Sequence, residues 1–138
     1  DLLISTYFSI KKEISNAVTN ELEPDQPIRD CLQNVWSNLL NYSQNNRDKF
    51  RFAEQFGNSP YTQKVDKEKI NQYFEPVNQI VQRGIREKIL KDIPQEILAA
   101  FFIHPAMMLG NENVCQSFEL SEENIAISFQ VAWDAIKL

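Results

Sequence analysis

Apolar residues recur along this chain every three or four positions, which is the spacing of one face of an α-helix. No segment shows the alternation of a strand pair, and no internal repeat or long linker is visible. The pattern therefore predicts an all-α fold of five to six helices, the third of them short. The predicted helices span residues 2–21, 26–45 (capped by Asp25, with Pro27 in the first turn), 48–56, 65–90, 94–115 and 121–138.

Two prolines lie inside this helical pattern. Pro76 falls within the fourth predicted helix, where it removes one backbone hydrogen bond, so we expect a kink there. Pro105 falls within the fifth predicted helix, directly after His104, and leaves a backbone carbonyl free one turn earlier.

The last two predicted helices carry more apolar surface than a chain of this size can cover. Residues 97–110 show no polar arc apart from His104, and the last helix has two apolar stripes. We expect a homodimer in which two helices from each subunit form a four-helix interface, although another helix of the same chain could cover the second stripe instead. The candidate interface residues are Ala99, Ile103, Ala106, Gly110, Ile127, Val131, Ala135 and Leu138.

Composition narrows the class of protein. The 138 residues include 14 basic and 19 acidic side chains, and the net charge of -5 argues against a phosphate-binding face in this piece. A hydrophobic fraction of 43% with nine Phe excludes a disordered chain. No apolar run approaches the roughly 18 residues of a membrane span, so we expect no membrane association.

The sequence offers little for catalysis. It contains no glycine-rich phosphate loop, no paired-cysteine metal spacing and no His-Glu-x-x-His. His104 is the single histidine, so a Ser-His-Asp or Cys-His centre would have to use it. It can be read as a core histidine bonded to a nearby carbonyl or as a polar contact to a ligand. We therefore expect no enzyme, no metal and no cofactor; a small enzyme that pairs His104 with a carboxylate is the alternative.

Aromatic residues are denser than a small helical bundle needs. Such residues are usually plain core, but bulky rings beside a proline-kinked helix also build cavities for hydrophobic ligands, and the sequence leaves both possibilities open. The candidate pocket residues are Tyr7, Trp36, Phe50, Phe56, Tyr73, Phe74, Phe101 and His104.

Four segments carry a family resemblance. Residues 50–60, FRFAEQFGNSP, resemble the F-x-x-Q-F-x-N-S-P stretch of TetR/AcrR-type transcriptional regulators. Residues 84–94, GIREKILKDIP, are similar to the G-I-x-x-G-I-I-K-D-L-P join between two late helices of their regulatory domain. Residues 133–138 resemble the usual ending of that domain, and residues 2–14 resemble the helix that leaves the DNA-binding domain. Lys88 stands where the family often has Gly, so we expect a more regular helix at that turn.

The resemblance implies that residues 1–138 are the effector-binding and dimerisation domain of a cytoplasmic bacterial regulator. Its partners would be a second copy, a small hydrophobic effector, and operator DNA reached only through an N-terminal helix-turn-helix head missing from this chain. The start at Asp1, with no Met before Met107, agrees with that expectation. The implied function is a repressor that the effector releases from DNA. The alternative is a helical protein-interaction module without a DNA-linked function.

Overall fold

The computed structural model describes residues 1–138 as a bundle of eight α-helices and one 3-10 turn, without a sheet. The all-α fold class is therefore confirmed, although two of the predicted helices are each divided in two. The helices are α1 (Leu2–Val18), α2 (Ile28–Asn45), α3 (Arg47–Gly57), α4 (Lys67–Tyr73), α5 (Glu75–Arg86), α6 (Gln95–Phe101), α7 (Ile103–Gly110) and α8 (Glu122–Ile136), with the 3-10 turn at Pro60–Lys64.

The second helix, α2, is the centre of the bundle. Helices α1, α3, α5, α7 and α8 all pack against it. Nine of its residues are buried, so it is apolar on a wide arc rather than on a single stripe. Cys31 lies in this core, and both cysteines of the chain are unpaired.

The fourth predicted helix is two helices, because Pro76 breaks the helix rather than kinking it. Helix α4 ends at Tyr73, and Phe74 links it to α5, in whose first turn Pro76 lies. A proline is tolerated there because the first amide groups of a helix have no intrahelical acceptor. The break changes the direction of the chain between Ile70 and Val77, which lie on opposite sides of it.

The end of α5 contradicts the expectation of a regular helix at Lys88. This residue adopts a φ of 59°, the left-handed conformation, although it is not glycine. The amides of Ile89 and Leu90 both donate to the Gly84 carbonyl, at 2.9 and 3.1 Å, which ends the helix. Leu90 then pairs with Lys137 in an isolated antiparallel bridge that holds the C-terminus against this turn.

The fifth predicted helix is also divided, at Phe102, and its second part ends at Gly110 rather than Cys115. Pro105 cannot donate to the Phe101 carbonyl and its ring would clash with that group, which disfavours a regular helix at this point. As a result α7 turns Ala106 and Gly110 towards α2. Ala106 is fully buried, and a Cβ atom on Gly110 would lie 2.8 Å from the Ser43 Oγ.

The last helix begins as its sequence predicts. The Ser121 hydroxyl accepts a hydrogen bond from the Asn124 amide at 3.1 Å and caps α8. One apolar stripe of α8 is buried against the core, including Phe129 and Ile136. The other stripe, which contains Ile127 and Val131, stays on the surface of the single chain.

Candidate functional site

A cavity of about 380 Å³ lies on one side of α2, between α1, α3, the α4–α5 break and α7. Its volume falls in the lower part of the range of roughly 300–1,000 Å³ that is typical of ligand sites. Eleven of its eighteen lining residues are hydrophobic. The apolar wall includes Ile14, Val35, Leu39, Ile70, Val77 and Met107.

Residues at the two helix breaks line this cavity. Phe74, the residue between α4 and α5, lines the cavity, and so do Ile103 and His104 at the start of α7. This part of the cavity wall is therefore built from short helices and from the residue between two of them.

Polar side chains gather in the same cavity. Lys11 of α1, Glu54 of α3 and His104 of α7 all line it, and three asparagines add neutral hydrogen-bonding groups, one of which is Asn78 of α5. The Nζ atom of Lys11 lies 5.7 Å from the centre of the Tyr7 ring, within the range of a cation–π contact.

Burial shifts the pKa values of several of these groups. It lowers the pKa of Lys11, an effect that the nearby Glu54 carboxylate opposes. Burial also raises the pKa of Glu54, and the positive charges of Lys11 and His104 oppose that rise. The pKa of the Tyr7 hydroxyl is raised by burial first and by Glu54 second. In all three groups, burial therefore disfavours the charged form.

Three of the eight candidate pocket residues line the cavity: Tyr7, Phe74 and His104. Phe56 lies next to it and packs on Tyr7, with ring centres 4.6 Å apart and ring planes tilted by 33°, and Tyr73 is half-buried but does not reach the cavity. Phe101 is on the outside of the bundle with 57% of its surface exposed.

The other two candidates, Trp36 and Phe50, belong to the closed core. The Trp36 ring packs on Phe102 at 5.4 Å between centres, and its indole nitrogen donates to the Ser128 Oγ at 3.0 Å. Phe50 is only 1% exposed and lies under Gly110. Neither residue is part of the cavity wall.

Lys11 and Glu54 are cavity residues that the sequence reasoning missed. A signal existed for Lys11, because it follows Tyr7 by four positions and precedes Ile14 by three, which places a lysine on the apolar face of α1. Glu54 likewise follows the buried Phe50 by four positions in α3. A charged residue at a core-facing position is a functional signal when no ion pair explains it.

A second, larger groove of about 680 Å³ runs between the end of α1 and α5. Only two of its ten lining residues are hydrophobic, and Arg83 and Arg86 are among the others. Arg83 donates from Nη2 to the Gln26 carbonyl, which ties the α1–α2 turn to α5. This groove is less suited to a hydrophobic molecule than the cavity beside α2.

The predicted interface residues separate into two groups. Those of α8, namely Ile127, Val131, Ala135 and Leu138, are all exposed, as a surface that meets another molecule requires. The four of α6 and α7 are not an outer face: Ala106 and Gly110 face α2, Ile103 lines the cavity and Ala99 is half-buried. The large apolar residues exposed on α6 and α7 are instead Ile97, Phe101 and Met108.

No group of three His, Cys, Asp or Glu side chains is arranged to hold a metal ion. None of the helices is both long enough and apolar enough to cross a membrane.

Residues 27–137 match a family model described as the tetracyclin repressor-like C-terminal domain. Three solved structures are similar, and each of them matches 99% of this chain. A TetR family transcription regulator from Marinobacter aquaeolei VT8 has a TM-score of 0.85 at 24% identity, with 71% of its own chain covered. A TetR family protein from Vibrio parahaemolyticus has a TM-score of 0.82 at 21% identity, with 74% covered. One from Shewanella sp. PV-4 has a TM-score of 0.75 at 16% identity, with 74% covered.

At these identities the likeness to the solved structures shows the shared fold. No curated protein sequence matches this chain.

Proposed function

We propose, from the premise that this chain belongs to the family of tetracyclin repressor-like C-terminal domains, that it is the effector-sensing and dimerisation domain of a transcriptional regulator. The observation that carries this proposal is the cavity beside α2, which combines an apolar wall with a few polar groups. Residues 1–138 form the regulatory domain, and operator DNA is contacted by a separate helix-turn-helix head of the parent protein.

The first helix is the element through which an effector would act. Tyr7, Lys11, Ile14 and Val18 of α1 all line the cavity, so a bound molecule touches this helix over most of its length. In the parent regulator α1 would follow directly from the DNA-binding head. A ligand shifts such an equilibrium only if it binds one arrangement of α1 more tightly than the other.

Effector binding is tested with the cavity residue Ala53, which is 2% exposed. Decanol, a small hydrophobic probe, should bind the chain in isothermal titration, and Ala53→Leu should weaken binding several-fold because its three added carbon atoms occupy part of the cavity. In the full-length regulator, decanol should weaken operator binding in a fluorescence-anisotropy assay. Binding that Ala53→Leu leaves unchanged, or that leaves operator affinity unchanged, would count against this function.

Dimerisation is proposed through the outer face of α6, α7 and α8. Val131 and Leu138 of α8 are 67% and 72% exposed, and Phe101 and Met108 are more than half exposed. A patch of large apolar residues on one chain is typical of a subunit interface. A second copy would bury it by pairing α8 and its neighbours around a two-fold axis.

A charge at the centre of that face should separate the subunits. Val131→Glu is expected to convert a dimer into a monomer in analytical ultracentrifugation, because a buried unpaired carboxylate is costly. The control is Asn16→Glu, which places the same charge on the exposed side of α1 and should leave the dimer intact. A wild-type chain that is monomeric at high concentration would instead favour an interaction module for a different protein.

A binding role is favoured over catalysis. His104, the residue that a small enzyme would have to use, is exposed at the edge of the cavity, and none of the side-chain hydrogen bonds of the structure joins it to a carboxylate. The similar solved structures are TetR family regulators.

A further inference from the structure

We infer that the cavity beside α2 recognises an amphipathic molecule with one anionic head group, which Lys11 binds while the apolar wall takes its hydrocarbon chain. This inference rests on the proposed effector-binding function and adds the chemical class of the effector. Two observations support it. Lys11 forms no ion pair, and most of the polar side chains that line the cavity can donate a hydrogen bond.

Lys11 forms no direct ion pair within the protein. The ion pairs of the structure involve Arg47, Lys49, Arg51, Arg83 and Lys137. Lys11 is half-buried, lines the cavity and contacts the face of the Tyr7 ring, while the Glu54 carboxylate acts on its charge without forming an ion pair. Burial lowers the pKa of this ammonium group, and a ligand carboxylate bound directly to it would stabilise its charged form.

The neighbouring groups favour an acceptor over a donor. His104 and the amides of Asn71 and Asn78 can donate hydrogen bonds into the cavity, as Lys11 can. Glu54 is the one acidic residue of the wall. Burial raises its pKa, and Lys11 opposes that rise. A cationic head group would instead lie beside Lys11 and His104.

The size of the cavity matches a single short chain. A volume of about 380 Å³ is large enough for one medium-length hydrocarbon chain, and Ile14, Val35, Leu39 and Val77 are among the apolar residues that line it. A medium-length carboxylic acid therefore meets both the charge and the shape of the site better than an alcohol or an amine of the same length.

The test compares three probes that differ only in the head group: decanoate, decanol and decylamine. Titration calorimetry with the 138-residue chain, below micelle-forming concentrations, should show decanoate binding at least about tenfold more tightly than decanol. Lys11→Met keeps the apolar stem and should remove that preference while leaving decanol affinity within about twofold. The matched control is Lys12→Met, because Lys12 is the next residue along and is exposed.

A second variant keeps the test decisive if Lys11→Met unfolds in a thermal melt. Glu54→Gln removes the competing acid and should tighten decanoate binding several-fold near neutral pH, with decanol unchanged.

Equal affinity for decanoate and decanol would overturn the anionic-head assignment while leaving the effector-binding function in place. Tighter binding of decylamine would also overturn it, by assigning the head group to Glu54. If none of the three probes binds, both the assignment and the proposed function fail.

Discussion

Aromatic residues lie on both sides of α2, but they fill the core on one side and border a cavity on the other. On the side of α8, Trp36, Phe102 and Phe129 are each 1% exposed and pack ring to ring without a cavity. On the other side, Tyr7 and Phe74 border a space of about 380 Å³. Aromatic content therefore does not decide whether this bundle is solid or hollow.

The helices around α2 also differ between the two sides. On the solid side, α8 is one unbroken helix of 15 residues that buries one apolar stripe. On the hollow side, the wall includes α4 and α5, separated at Phe74, and α7, which begins after Phe102. Phe102 itself packs on Trp36 and Phe129, so a helix break does not by itself leave a cavity.

The largest expected contrast comes from removing one ring on each side. Trp36→Ala should lower the free energy of unfolding by about 3–5 kcal/mol, because it empties a closed core. Phe74→Ala should cost no more than about 2 kcal/mol, because this ring is half-buried and already borders empty space. Urea denaturation measures both. Equal losses would show that the two sides are packed alike.

An intermediate difference is expected when each of two buried alanines is replaced by leucine. Ala106→Leu forces a larger side chain between α7 and α2 and should destabilise the fold by about 1–3 kcal/mol. Ala53→Leu projects into the cavity and should change stability by less than about 1 kcal/mol. Thermal melts of the two variants provide the measurement. Should Ala53→Leu be the more damaging of the pair, the hollow side would have to be closed in solution.

The smallest effect concerns pH. Burial raises the pKa of Glu54 above that of the unfolded chain, so the folded state binds more protons in the window above the ordinary carboxyl pKa. Stability should therefore fall as pH rises through that window. Glu54→Gln removes this loss and should gain less than about 1 kcal/mol near neutral pH.

The control for the pH experiment is Glu68→Gln, at an exposed position of α4. It should leave the pH dependence of urea unfolding as in the wild type. If both variants behave alike, the buried environment of Glu54 does not affect its titration.

The sequence predicted the helical content well and the helix breaks only in part. Apolar spacing located α1, α2, α3 and α8, and Ser121 marked the start of α8, because these features depend on residues close together in the chain. Pro76 and Pro105 were recognised as disturbances, but whether each causes a kink or a break depends on the packing on both sides. The left-handed turn at Lys88 was missed because the residue type disfavours it, and because part of what holds it is the pairing of Leu90 with the distant Lys137.

The candidate site was predicted less well, for a related reason. The single predicted helix is divided at Phe102, so the periodicity of residues 97–110 does not give one common set of faces: Phe101 of α6 is exposed, whereas Ala106 of α7 is fully buried. The small-residue face that suggested a contact with a second subunit is used within the chain, against Ser43 of α2. The α8 stripe, on an unbroken helix, is exposed as expected.

What the sequence determined by itself is thus the local periodicity: which segments are helical, where α8 begins, and that α8 carries one stripe more than its own core buries. Only the tertiary structure decided which side of α2 is solid and that Lys11, Glu54 and His104, from three separate helices, share one cavity. The physical reason is that periodicity orients a side chain relative to its own helix, whereas the space it meets depends on helices that are distant in the chain.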